Sequence, residues 1–322
     1  AQVAPSVVTV ETVGGQSPRR SSAAGPGIPG LSESGGRFRV GAGPTTGLVF
    51  RGDGLILTST FTFARDPAVI TITLADGRQF AATLVARDEI RRLALLKIEA
   101  ADLPVPMWVD DEDDIHVGQS AIAVGRGFGS SRAGVSLGVV SGLRRMGGNA
   151  VQTDARLSPA NYGGPLIDLR GHVVGLIVPM SYSAGELAGI ELYDSGIGFA
   201  VPAWHATPSA QRLAHGENIV RGVLGVRIGP GAVEGLSIVD VIAGSPAQAA
   251  GIEAGDELTA IDDAPVRDPA ELARRMAFRA AGEAVALTVR RGGRPLHLDA
   301  ILADPANLGP EARPREAESP PP

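Results

Sequence analysis

A chain of 322 residues with 44% hydrophobic side chains is long enough for about two packed domains. Its net charge of −6, with no basic block interleaved with aromatics, sets nucleic acid aside as a partner. No apolar run reaches the roughly 18 residues that would span a bilayer, and the absence of cysteine excludes disulfides and thiolate metal sites. From the N-terminus, residues 5–13 alternate apolar and hydroxyl positions at strand spacing. Residues 14–36 are Gly/Ser/Pro-rich with too little apolar content to pack, which predicts a flexible loop. A strand resumes over 38–50, Gly52-Asp53-Gly54 turns the chain, and 55–58 begins the next strand. Residues 69–74, 80–85 and 93–98 continue the pattern of strands joined by short turns that suits a barrel.

Further along, Arg156-Leu-Ser-Pro-Ala-Asn-Tyr-Gly-Gly-Pro-Leu166 has paired glycines, Gly163 and Gly164, that let the backbone fold tightly against a neighbour. The apolar run over 166–178, around Gly171 and Gly175, reads as a strand hairpin. After Pro202 the sequence becomes helix-compatible, with a short helix over 208–215 stopped by Gly216. Ser245-Pro246 opens a capped helix ending at Gly251, and Asp268-Pro-Ala-Glu271 opens another that places Leu272 and Met276 on one face. Val285, Leu287 and Val289 alternate, Arg291-Gly-Gly293 turns, and Leu296 and Leu298 return. The acidic, Pro-ending segment 304–322 lacks core residues and reads as a disordered tail.

Chemistry-bearing clusters are sparse. His116, His172, His205, His215 and His297 form no i, i+4 pair or ligand cluster, so neither a metal nor a cofactor is expected. The acidic run 110–114 lacks the spaced ligands and central glycine of an EF-hand and reads as a solvated loop. Gly125-Arg-Gly-Phe-Gly129 follows a strand with no helix behind it, which argues against a dinucleotide loop. Lys97, the only lysine, sits inside an apolar strand, so no phosphate-cradling loop is present.

The stretch ending Gly163-Gly164-Pro165-Leu166 resembles the Gly-Asn-Ser-Gly-Gly-Pro-Leu motif of chymotrypsin-fold proteases. Together with Gln152-Thr153-Asp154 and Val173-Val174-Gly175 it is similar to the HtrA/Deg family of envelope serine proteases. That resemblance implies a mainly β fold: two six-stranded antiparallel barrels over 1–204, a linker helix over 205–221, and an α+β PDZ domain over 222–303. It also aligns Phe61, Arg92 and Tyr162 with the family's His, Asp and Ser, and Ala160 with the glycine of the oxyanion loop. A triad needs a hydroxyl to attack, an imidazole to take its proton and an anion to hold the imidazolium. Phe61 has no proton acceptor and Arg92 is a cation. The expectation is therefore that the chain is not an enzyme: a pseudoprotease, with Phe61 and Tyr162 as buried aromatics and Arg92 turned to solvent or paired with Asp88. Two alternatives are an active HtrA-type serine endopeptidase and a scaffold or regulatory subunit of active paralogues.

The segment Gly251-Ile-Glu-Ala-Gly-Asp-Glu-Leu258 resembles a PDZ signature. The resemblance implies a ligand strand added beside the second strand, its carboxylate held by the loop Val223-Leu224-Gly225-Val226. An apolar pocket would draw on Leu224, Val226, Ile228, Leu272 and Met276. The partners so implied are peptides, protein C-termini and unfolded proteins, with homo- or hetero-oligomers of HtrA paralogues. The opening Ala1-Gln2 without Met fits a mature exported protein, and the family likeness implies the periplasm.

Overall fold

Short segments with alternating apolar residues leave each strand with one face to bury, and a sheet closed on itself buries that face without open edges. The computed structural model describes residues 2–14, 44–63, 67–127, 132–180, 195–229 and 235–308. Beyond residue 14 the expected loop over 14–36 lies outside these, as does the expected tail after 308. The first barrel contains β1 (Val7–Val13), β2 (Thr45–Arg51), β3 (Leu55–Ser59), β4 (Val69–Thr73), β5 (Gln79–Asp88) and β6 (Leu93–Ile98). They close in the antiparallel order β1-β2-β3-β6-β5-β4, sealed where Val10 pairs with Ile72. Val8, Val49, Ile56, Ile70, Leu96 and Ile98 fill its interior, each stabilising by about 1.5–3 kcal/mol.

The second barrel contains β7 (Ser120–Gly125), β8 (Gly134–Arg145), β9 (Ala150–Thr153), β10 (Pro165–Ile167), β11 (Val173–Ile177) and β12 (Gly198–Pro202). Its closed order is β10-β11-β12-β9-β8-β7. The mainly β architecture with two six-stranded antiparallel barrels is as expected. Helix α1 spans Ala203–Ala214 and lies against β5, β6, β11 and β12. The sequence reading put the helix start at Pro208, but Pro208 lies inside it. The missing proline N–H forfeits only a bond to the Trp204 carbonyl, while burial of Ala206, Ala210 and Leu213 holds the helix in place.

The second compact unit begins in its main part at Ile219. It contains β13 (Val226–Gly229), β14 (Leu236–Val241), β15 (Glu257–Ile261), β16 (Ala264–Pro265), β17 (Ala284–Arg291) and β18 (Arg294–Ile301), with order β13-β14-β15-β17-β18 and β16 beside β15. Two short helices, α2 (Pro246–Ala249) and α3 (Pro269–Met276), start where the sequence placed their caps. The Ser245 Oγ accepts from the Gln248 amide at 3.3 Å and the Asp268 carboxylate from the Glu271 amide at 2.7 Å. Leu236, Ile238, Leu258, Val285, Leu287 and Val289 form the core. The first residues of the expected disordered tail are ordered instead. Asp304 accepts from the Ala306 amide at 2.8 Å and caps a 3-10 turn, Pro305–Asn307, because a capping carboxylate and a Pro at the first position need no core beneath them. Among the described residues no helix is long and apolar enough to cross a membrane.

Candidate functional site

Strand β3 runs into a 3-10 turn, Thr60–Phe63, that buries Phe61 to 7% exposure. The Phe61 amide donates to the Ser59 Oγ at 3.2 Å. Arg92 ends the β5–β6 turn in the left-handed region at φ 61°, a conformation that nothing in its sequence announces. Its carbonyl accepts from the Thr60 amide at 2.9 Å, so the backbone ties position 92 to the turn that carries Phe61. The Arg92 side chain is half-buried. Asp88, the expected partner of Arg92, is wholly buried and accepts a short hydrogen bond from Ser209 of α1.

Across from Phe61, the segment that sequence analysis singled out folds as a 3-10 turn, Pro159–Asn161, followed by Tyr162. Ser158 is occupied as its cap, with its amide 3.0 Å and its hydroxyl 3.2 Å from the Asn161 Oδ1. Tyr162 is 5% exposed. Its ring meets Phe61 edge to face, with centroids 5.1 Å apart and planes at 63°. The two rings join the core cluster of the second barrel. Of the three aligned residues, Phe61 and Tyr162 are thus in contact, and Arg92 is linked to them through the Thr60 backbone.

Thr46, which the sequence reading passed over, organises this meeting point. Its amide donates to the Tyr162 carbonyl at 3.1 Å, its hydroxyl donates to the Ala160 carbonyl at 2.7 Å, and that hydroxyl accepts from the Arg126 amide at 2.7 Å. Arg126 is itself buried, and burial lowers the pKa of its guanidinium. The paired glycines are needed for the reason expected. A Cβ on Gly163 would lie 2.1 Å from the Thr46 carbonyl oxygen, and one on Gly164 2.3 Å from that of Val124. Neither sequence periodicity nor motif spacing signals Thr46; only the sheet register reveals it.

In the second unit, the loop 223–226 is fixed on both sides. Val223 exchanges backbone bonds with Ala303 at 2.9 and 3.1 Å. The Leu224 carbonyl accepts from the Ala247 amide at 2.9 Å and the Gly225 carbonyl from the Ile242 amide at 3.0 Å. Both peptides are trans, so the amides that share those planes, Gly225 N–H and Val226 N–H, point away from the 242–247 turn. Two successive amides turned one way form a nest suited to an anion. Gly225 is required here: its φ is 80°, and a Cβ would sit 2.3 Å from that of Ser245. Leu224 is buried, while Val226, Ile228, Leu272 and Met276 are partly buried against the same apolar cluster. The strand that follows the loop is β13, the first of this sheet and its edge, rather than the second strand expected. Chain order, not geometry, makes the difference, because the loop enters the sheet at its first strand.

Residues 45–176 match the trypsin-like peptidase domain, and residues 220–302 match the PDZ domain. The chain is 33% identical over 250 residues to the periplasmic pH-dependent serine endoprotease DegQ of Escherichia coli, covering 72% of this chain and 53% of that one. It is 31% identical over 300 residues to the putative serine protease HhoA of Synechocystis, covering 84% of this chain and 73% of the relative. The chain belongs to the HtrA family. A solved HtrA-type protease, AlgW with a decapeptide, superposes with a TM-score of 0.65 at 26% identity, covering 94% of this chain and 96% of the other. These comparisons correct one expectation. A family whose members carry the names of serine endoproteases points to an enzyme, so the reading of the chain as no enzyme does not stand. The chain spans about half the length of the Escherichia coli relative.

Proposed function

We propose that this HtrA-family chain captures the free C-termini of peptides and unfolded proteins in the bacterial envelope through its PDZ unit. The observation that carries this reading is the direction of two amides: with their carbonyl neighbours held by Ala247 and Ile242, Gly225 N–H and Val226 N–H face outward together. A terminal carboxylate accepts from such a pair, its strand lies along β13, and its last side chain enters the apolar surface of Leu224, Val226, Ile228, Leu272 and Met276. Affinity is micromolar, about −8 kcal/mol, since one strand of main-chain bonds and one buried side chain offset the ordering of the peptide. The periplasmic names of the relatives support the envelope location. The test is a titration of the full chain with a peptide ending in a free apolar residue beside its amidated twin. Capture requires the free form to bind at least tenfold more tightly; equal binding refutes it.

The relatives' names favour a second activity, endoproteolysis of the chains so captured. We assign the family's triad positions to Phe61, Arg92 and Tyr162 and the oxyanion-loop position to Ala160. On that assignment cleavage does not use these side chains as a Ser–His–Asp relay, because the set contains neither imidazole nor carboxylate. Casein digestion by the full chain, beside its Tyr162→Phe variant, reads this directly. Equal turnover agrees with the assignment. Turnover abolished by Tyr162→Phe, or a fluorophosphonate adduct on Tyr162, overturns it.

A further inference from the structure

The edge strand β13 carries one charge, Arg227. Val226 and Ile228 turn toward the apolar cluster, so Arg227 between them stands on the opposite, solvent face. Its guanidinium lies 3.6 Å from Asp240 of β14, with the two side chains 54% and 51% exposed. Pairs this exposed contribute little to stability. Among the described residues β13 has β14 as its only strand neighbour, which leaves its other edge open to an added strand. We propose that Arg227 selects an acidic side chain at the penultimate position of the captured C-terminus. The inference rests on the capture reading above and names the ligand class for that site.

The register follows from alternation. A ligand whose carboxylate sits at the 223–226 loop and whose last side chain joins Val226 on the apolar face must point its penultimate side chain to the opposite face. In an antiparallel pair, directly opposed residues share a face and lie about 4.5–5.5 Å apart at Cβ, which places the penultimate residue beside Arg227. Asp240 lies on the far side of Arg227, two strand spacings from the ligand or about 9.6 Å, close to the screening length of about 8 Å at physiological salt. The nearer cation therefore dominates the field at that side chain. Glutamate there meets Arg227 directly, whereas lysine meets a like charge with its counter-ion a strand away. Cross-strand charge pairs of this kind alter affinity by about two- to fivefold each way.

Three free-carboxylate hexapeptides that differ only in the penultimate residue, Glu, Gln or Lys, are titrated against the full chain at low and high salt, with the amidated Gln peptide as control. The expected order is Glu tighter than Gln tighter than Lys, spanning about four- to twenty-five-fold and collapsing in about 0.5 M salt. Arg227→Gln should remove the discrimination among the Glu, Gln and Lys peptides. The exchange of Arg227→Asp with Asp240→Arg, which keeps the cross-strand pair, should invert the order. Carboxylate-dependent binding with no preference, or a preference that persists in Arg227→Gln, overturns the role of Arg227 and leaves capture standing. Binding indifferent to amidation refutes capture itself.

Discussion

Replacing Arg291 with Met should destabilise the PDZ unit more than replacing Asp256 with Asn, although the two residues form a single ion pair. The Asp256 side chain is 1% exposed and that of Arg291 35%. The carboxylate accepts two hydrogen bonds from Arg291, at 2.7 and 2.8 Å, and one from the Glu253 amide at 2.9 Å. The guanidinium also reaches the Glu253 carboxylate at 2.8 Å and the Gly251 carbonyl at 2.7 Å. Removing one partner of a buried pair costs about 3–5 kcal/mol; the exposed flank of Arg291 admits water and reduces this to about 2–3 kcal/mol. In Asp256→Asn the group left behind is a guanidinium that water already reaches and that keeps its bonds to Glu253 and Gly251, so the loss is about 1–2 kcal/mol. For a unit of this size each kcal/mol shifts Tm by about 4–8 °C. Scanning calorimetry of the full chain should show the unit's transition fall furthest in Arg291→Met. The pH dependence has a fixed sign. The Arg291 hydrogen bonds hold the Asp256 pKa below the ordinary carboxylate value, against the opposing effect of burial. The pair's contribution is therefore complete above the unfolded value of about pH 4 and fades as pH falls through the lower folded value. The gap between wild type and Asp256→Asn should close below pH 4. A gap constant from pH 7 to 3, or Asp256→Asn as the more damaging change, refutes the reasoning.

The aromatic pair should behave as a coupled unit: Phe61→Ala and Tyr162→Ala each cost about 3–5 kcal/mol by urea unfolding, and the double variant costs less than their sum by about 0.5–1.5 kcal/mol. Strict additivity would deny the ring contact. Gly163→Ala should destabilise the barrel unit by more than about 2 kcal/mol, since its Cβ collides with the Thr46 backbone at a left-handed φ; a neutral outcome in the same urea assay counts against the close approach. Ser209→Ala withdraws a donor from the wholly buried Asp88 and should lower stability by about 1–3 kcal/mol in the same assay; an unchanged stability counts against the bond.

How much was legible beforehand depends on whether a feature is local. The barrels were readable because alternation is a local signal: Ile70 and Ile72 face inward on β4 with half-exposed threonines between and after them. Helices α2 and α3 were readable because Ser245 and Asp268 cap within three residues. The Asp88–Ser209 bond joins positions 121 residues apart, and Thr46 meets Ala160 across 114. No spacing rule reaches so far, so these contacts waited on the fold. Pro208 misled because the same residue marks a helix start and survives inside one when its neighbours are well packed.

The two candidate sites differ in how far their sequences determine them, and the reason is physical. At the PDZ loop the groups proposed to hold the ligand are backbone amides, aimed by carbonyl bonds to Ala247 and Ile242 and by a turn that only Gly225 can make without strain. Gly225 sets the turn while Leu224 and Val226 pack on the apolar cluster, which makes the loop recognisable from its glycine and its apolar flanks. At positions 61, 92 and 162 the backbone is equally well held, through Thr46, Thr60 and the Gly163-Gly164 turn. On the proposed assignment, the chemistry there would lie in the side chains themselves. A frame that positions a nucleophile positions an aromatic ring just as well, so the fold alone does not decide what reaction the site performs. Family membership points to peptide hydrolysis, and the Tyr162→Phe digestion assay tests whether the position proposed for the nucleophile takes part in it.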